Sequence, residues 1–162
     1  MTSEEERRQE FMERCVGEEH GGRTRAVRLD RSDRQREAER FRNLSEYHAK
    51  AAQDNLEGQA PLMAIREGYY VMLHKANEAL ALAGFNPKTH ECTLLGTRGI
   101  FNVPDLASAL RLAHDERQNV DYYINPEKPE LEEFTSPEQF VEGVMEPFVE
   151  QVNELIEEES LR

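Results

Sequence analysis

The chain contains no tryptophan, only two cysteines, and four lysines among its twenty basic residues. No apolar run approaches the roughly eighteen residues a membrane-spanning helix needs, so a span is excluded and no membrane partner is expected. Cys15 and Cys92 lie far apart, with no CxxC and no Cys/His zinc spacing. That excludes a zinc ribbon or a disulfide-dense scaffold, and the expectation is a pair of reduced intracellular thiols. The five histidines, His20, His48, His74, His90 and His114, form no i, i+4 pair on a helix and no HExxH. His90-Glu91-Cys92 is the one local cluster of metal-ligating types, and three adjacent residues do not close on one ion without distant help. Neither a metal nor another cofactor is expected. The acidic opening Met-Thr-Ser-Glu-Glu-Glu has the wrong sign for a secretory signal, and the expected location is the cytoplasm.

What the chain has in abundance is charge. Against 20 basic residues stand 33 acidic ones, for a net −13 over 162 residues with 38% hydrophobic content. One core of this size is stable without staples, and there is little room for two domains. The charge is polarised. Residues 23–42 hold eight Arg against four acids, a local +4, whereas residues 125–162 hold twelve Glu against Lys128 and Arg162, a local −10. Interleaved acids make the basic stretch a helix face laced with ion pairs, and the overall acidity argues against salt-sensitive duplex binding.

Every long segment has a helical period, so the predicted fold is all-α, an antiparallel bundle of four to five helices. Ser3 and Glu6 form a capping box for a short first helix bearing Phe11, Met12 and Cys15 on one side. Gly17, Gly21 and Gly22 then break it, and residues 1–31 read as an N-terminal appendage and flexible linker, 32–158 as the helical domain and 159–162 as a tail. A second helix is predicted from Ser32, with Gln35 completing its box, to about Asn55–Gly58. Pro61 opens a third, the most apolar and therefore central one, stopped by Gly84. Thr89 is an N-cap for a short helix through Leu94 and Leu95, and Pro104 opens another that runs to about Tyr123. Ser136-Pro137-Glu138-Gln139 starts the last helix, which carries Phe140, Val144, Phe148, Val152 and Leu155 on one face and is kinked at Pro147. Glu138, Glu142, Glu146, Glu150 and Glu154 recur on another face, as a solvated ridge or a docking surface for a basic partner.

Within this pattern three segments are more specific. Tyr69-Tyr70, then Met72, His74 and an Ala/Leu run closed by Gly84, with Lys88-Thr89-His90 after it, resemble the central helix and following turn of HEPN-domain proteins. Arg117-x-x-x-Asp121-Tyr122 resembles the end of their penultimate helix, and Glu138–Ile156 their closing helix. The resemblance covers about residues 36–158 and is nearest the small stand-alone subgroup encoded beside minimal nucleotidyltransferases in toxin–antitoxin modules. It implies a homodimer whose partner is such a nucleotidyltransferase, with RNA as a further candidate partner.

Many HEPN proteins are metal-free RNases with an Arg-x4–6-His motif, the arginine stabilising phosphate charge and the histidine moving a proton. Arg117 and Tyr122 match that pattern. Val120 stands where histidine is needed, so the motif is incomplete. His114, one helical turn before Arg117, is the nearest substitute, giving the alternative of a divergent RNase that uses Arg117 and His114 across a dimer. The strings Arg14…His20 and Arg42…His48 lie elsewhere and are of the number chance supplies. Tyr122 and Tyr123 are the candidates for AMP attachment by the partner enzyme. Tyr69, Tyr70 and His74 are expected in the core or at a dimer interface.

Overall fold

A computed structural model of the chain describes residues 3–17, 25–124 and 136–160; the side chains of residues 122–124, 159 and 160 lie outside the described residues. The elements in order are α1 (Glu4–Phe11, continued by a π-turn over Met12–Val16), β1 (Ala26–Arg28), α2 (Arg31–Glu57), α3 (Met63–Leu82) and β2 (Phe85–Pro87). They are followed by α4 (His90–Ile100), α5 (Pro104–Ile124), α6 (Pro137–Phe140), a π-turn over Val141–Met145, and α7 (Glu146–Ser160). The class is an all-α helical bundle, as the periodicity requires.

α3 is the hub. It packs along α2 and also meets α4, α5 and α7. A helix surrounded on most sides must be apolar or small nearly all round, and α3 buries Ala64, Ile65, Tyr69, Val71, Met72, Ala76, Ala79, Leu80 and Ala81. The main core joins these to Leu106, Leu110, Ala113 and Val120 of α5 and to Phe140, Phe148 and Val152 near the end of the chain. Each such fully buried Leu, Ile, Val or Phe contributes roughly 1.5–3 kcal/mol. α3 ends where Gly84 takes a φ of 102°, a left-handed conformation that an L side chain strains to adopt. The Gly84 carbonyl then accepts from Leu29 N–H at 2.8 Å, tying the α3 terminus to the entry of α2.

The capping signals hold where the side chain reaches its amide. Thr89 accepts from Cys92 N–H, Ser136 from Gln139 N–H, and Ser3 and Glu6 complete a reciprocal box. The box expected at Ser32 does not form: α2 begins at Arg31, behind Asp30, with no side-chain cap. Near Pro147 the ladder is wound as a π-turn, with Glu146 N–H donating five residues back to the Val141 carbonyl. This turn shifts the buried face, so that Phe140, Val141, Met145 and Phe148 are covered and Val144 is only half-buried. The carboxylate ridge, Glu138, Glu142, Glu146, Glu150 and Glu154, is exposed along its length.

Two expectations are corrected. Cys15 and Cys92 are not reduced thiols but a disulfide, closed between residues 77 apart in sequence. Helix packing brings them together: α1 lies along α4, Phe11 and Cys15 are fully buried, and they form a second small core with Ala26, Phe85, Cys92 and Leu95. The Phe11 and Phe85 rings meet edge-on at 5.3 Å. Residues 4–16 are therefore a docked part of the fold rather than an appendage. Residues 26–28, expected within a linker, pair antiparallel with 85–87, Val27 opposite Asn86. Three-residue strands carry too little alternation to stand out in the sequence.

Candidate functional site

Four of the histidines that are scattered in sequence converge on one side of α3. α3 supplies Tyr69, Tyr70 and, one turn on, His74; α2 supplies His48, the first turn of α4 supplies His90, and α5 supplies His114 and Arg117. Their rings form a continuous series. Phe41 stacks on His74 at 6.1 Å between centroids, His74 on His48 at 5.4 Å, and His48 on Tyr70 at 5.2 Å. Tyr70 meets Tyr69 at 5.2 Å, Tyr69 meets His90 at 5.6 Å, and His90 stacks on His114 at 4.1 Å. The Arg117 guanidinium lies over both tyrosines, 5.4 Å from the Tyr69 centroid and 5.5 Å from that of Tyr70.

The electrostatics follow from burial and from that cation. Tyr69 is almost completely buried and its phenol is pushed up to about 12, burial outweighing the opposing pull of Arg117. His90 is pulled down to about 4 by burial and then by the neighbouring His114 and Arg117. A protonated phenol and a neutral imidazole therefore share the 2.8 Å contact between Tyr69 Oη and His90 Nδ1. With the phenol as donor, His90 is assigned the tautomer that carries its proton on Nε2. His74 is pulled down to about 4 by burial, then by His48 and Arg40, and its buried Nδ1 meets no hydrogen-bond partner among the described residues. His48 Nδ1 faces Glu67 Oε2 at 2.5 Å. Arg117 Nε lies 3.5 Å from Asp121 Oδ2, and His114 Nδ1 3.6 Å from Asp115 Oδ1.

Of the residues singled out in the sequence, Arg117, His114, Tyr69, Tyr70 and His74 fall in this one cluster. The side chains of Tyr122 and Tyr123 lie outside the described residues, as does His20. Arg42 and His48 do not constitute a motif: six residues apart on α2, they are separated by about 9 Å along the axis and project from different faces. The sequence reading missed His48 and His90 as members of the site. His90 carried a usable signal, since it directly follows the Thr89 cap and so begins α4 where the chain returns to α3.

A guanidinium, two stacked imidazoles and a buried phenol can hold a phosphate ester and move protons on and off it. Burial, the stacked His114 ring at 4.1 Å and the Arg117 guanidinium together keep the His90 ring neutral around pH 7. Among the described residues no three His, Cys, Asp or Glu side chains are grouped so as to hold a metal ion, and no helix is long and apolar enough to cross a membrane. No family model matches the chain, and neither a curated protein nor a solved structure matches it.

Proposed function

We propose that the protein is a HEPN-like RNA-acting module whose cluster of Arg117, His114 and His90 carries metal-independent phosphodiester cleavage. The observation that supports this reading best is the His90–His114 stack at 4.1 Å beside the Arg117 guanidinium. His114 takes the proton of a ribose 2′-hydroxyl as its oxygen attacks phosphorus, and the departing 5′-oxygen takes a proton from water, leaving a 2′,3′-cyclic phosphate and a 5′-hydroxyl. Arg117 and the Nε2–H of neutral His90 stabilise the charge that grows on the phosphoryl oxygens. His114 and His90 thus divide the work of the histidine missing after Arg117. Arg117 and His114 are partly exposed, at 28% and 26% of their side chains, so substrate or a second copy of the chain can reach them.

The test is cleavage of single-stranded RNA in the presence of EDTA. Arg117→Ala, His114→Ala and His90→Ala are each expected to reduce the rate by about 100-fold or more. Wild-type rates in Arg117→Ala and His114→Ala, with helicity retained, would sink this reading.

A second reading follows from where α5 ends. Tyr122 lies in its last turn, five residues beyond Arg117, and in this reading the protein is the homodimeric partner of a minimal nucleotidyltransferase of the toxin–antitoxin kind. The tyrosine oxygen attacks the α-phosphorus of ATP, pyrophosphate leaves and the phenolic proton is released. Mass spectrometry after incubation with that enzyme and ATP should then show an AMP adduct on Tyr122 or Tyr123.

A further inference from the structure

A cavity of about 380 Å³ opens between α2, α3 and the end of the chain, and none of His90, His114 or Arg117 lines it. Its apolar wall is Ala49 of α2, Val71 of α3, Met145 of the π-turn and Val149 of α7. Three exposed carboxylates edge that wall, Glu46 from α2 and Glu146 and Glu150 from α7. None of the three has an ion-pair partner among the described residues, whereas Glu37 is held by Arg40 and Glu91 by Arg14 and Arg25. Lys75, which also lines the cavity, is nearly buried and held by Glu78 at 2.8 Å, so its charge is answered within the fold. Glu146 and Glu150, one turn apart, repel each other. The fold adds the like charge of Glu46 from a second helix, and among the described residues no unengaged cation of the lining offsets it.

We infer that this cavity binds a linear aliphatic polyamine, its methylenes against Ala49, Val71, Met145 and Val149 and its ammonium groups on Glu46 and on the Glu146–Glu150 pair. Four features select that ligand class. The carboxylates call for a cation, and ammonium–carboxylate pairs are charge-assisted hydrogen bonds. The apolar wall calls for hydrocarbon beside that charge, which a hydrated metal ion does not carry. Among the described residues no three acidic side chains are grouped so as to hold one ion, so the charge of the occupant is spread along its length. Glu146 and Glu150 are separated by about 6 Å along the helix axis, close to the span of a four-carbon bridge between two amines. The volume lies in the range of small-molecule sites, and one helical turn of a partner, about 10 Å across and about 5 Å long, would already exceed it. None of these residues takes part in the proposed RNA cleavage, so the two proposals stand or fall separately.

The test is calorimetric titration at low ionic strength with spermidine and with hexaamminecobalt(III), a cation of the same charge that carries no hydrocarbon. Saturable binding of one spermidine per chain is expected, about tenfold or more tighter than that of the cobalt complex and weakened about tenfold or more in Glu46→Gln and in Glu150→Gln. Glu138→Gln removes a carboxylate of the same ridge that does not line the cavity, and should bind spermidine as the wild type does. Glu46 and Glu150 are exposed, so neutralising them leaves the core intact. Absence of saturable spermidine binding, wild-type affinity in Glu46→Gln, an equal loss in Glu138→Gln, or equal affinity for the cobalt complex would overturn the assignment.

Discussion

Replacing Cys15 and Cys92 by serine removes the covalent tie between α1 and α4 while leaving their packed surfaces in place. The tie closes a loop between residues 77 apart. For a loop of that length the lost denatured-state entropy corresponds to about 4–5 kcal/mol at 25 °C, the upper part of the range seen for native disulfides. In a chain of this size about 1 kcal/mol moves the midpoint by roughly 2–4 °C, so the melting temperature should fall by about 8–20 °C. Local contacts oppose a complete release of α1: Phe11 stays against Phe85, Arg98 reaches Glu10 at 2.6 Å, and Arg14 pairs with Glu91. The variant should therefore unfold earlier and still be folded at 25 °C. Circular-dichroism melts of the wild type with and without reductant, beside the double-serine variant, measure the effect. Alkylation of the unreduced protein, read by mass, counts the free thiols. Two modified thiols in the folded, unreduced protein would refute the reasoning at its root. Melting temperatures within about 2 °C in all three samples would refute the magnitude.

The neutral histidines predict acid sensitivity. Above pH 6.5 His74 and His90 are neutral whether folded or unfolded; as the pH falls the unfolded rings take up protons first and the folded ones only near 4, so stability is lost across that window. The gap corresponds to about 3 kcal/mol per ring at face value, and to about 1–2 after screening by solvent at half-exposed positions. Urea midpoints at pH 7.5 and 4.5 should differ accordingly and the difference should shrink in His90→Gln; equal drops in both proteins would disprove the linkage. Gly99 of α4 lies against the backbone of α1, and a Cβ there would lie 2.6 Å from the Arg7 carbonyl oxygen. Because that neighbour is backbone, Gly99→Ala must push the helices apart, at a cost of roughly 1–3 kcal/mol in urea unfolding. An unchanged midpoint would mean that α1 does not dock there.

The parts of this molecule that were legible in the sequence are those in which a residue's role depends on near neighbours. Thr89, Ser136 and the Ser3–Glu6 pair cap their own first turns, and the apolar surround of α3 is written in consecutive residues. Gly84 ends α3 for a reason internal to its own backbone. The disulfide depends instead on two helices meeting, and Cys15 offers no local hint that Cys92 will be beside it. The docking of α1 rests mainly on Phe11 and Cys15, too few buried residues for a strong periodic signal. The histidine series was unreadable for the same reason: His48, His74, His90 and His114 come from separate helices, and only the packing of α2, α4 and α5 around α3 makes them neighbours.

The π-turn over Val141–Met145 also sets the course of the acidic ridge. Such a turn holds one residue more than an α-helical turn, so everything after it is rotated relative to an uninterrupted helix. The same rotation that brings Phe148 and Val152 inward fixes where Glu146, Glu150 and Glu154 point. The ridge therefore has two segments, Glu138–Glu142 and Glu146–Glu154, whose relative direction is set by the extra residue of that one turn.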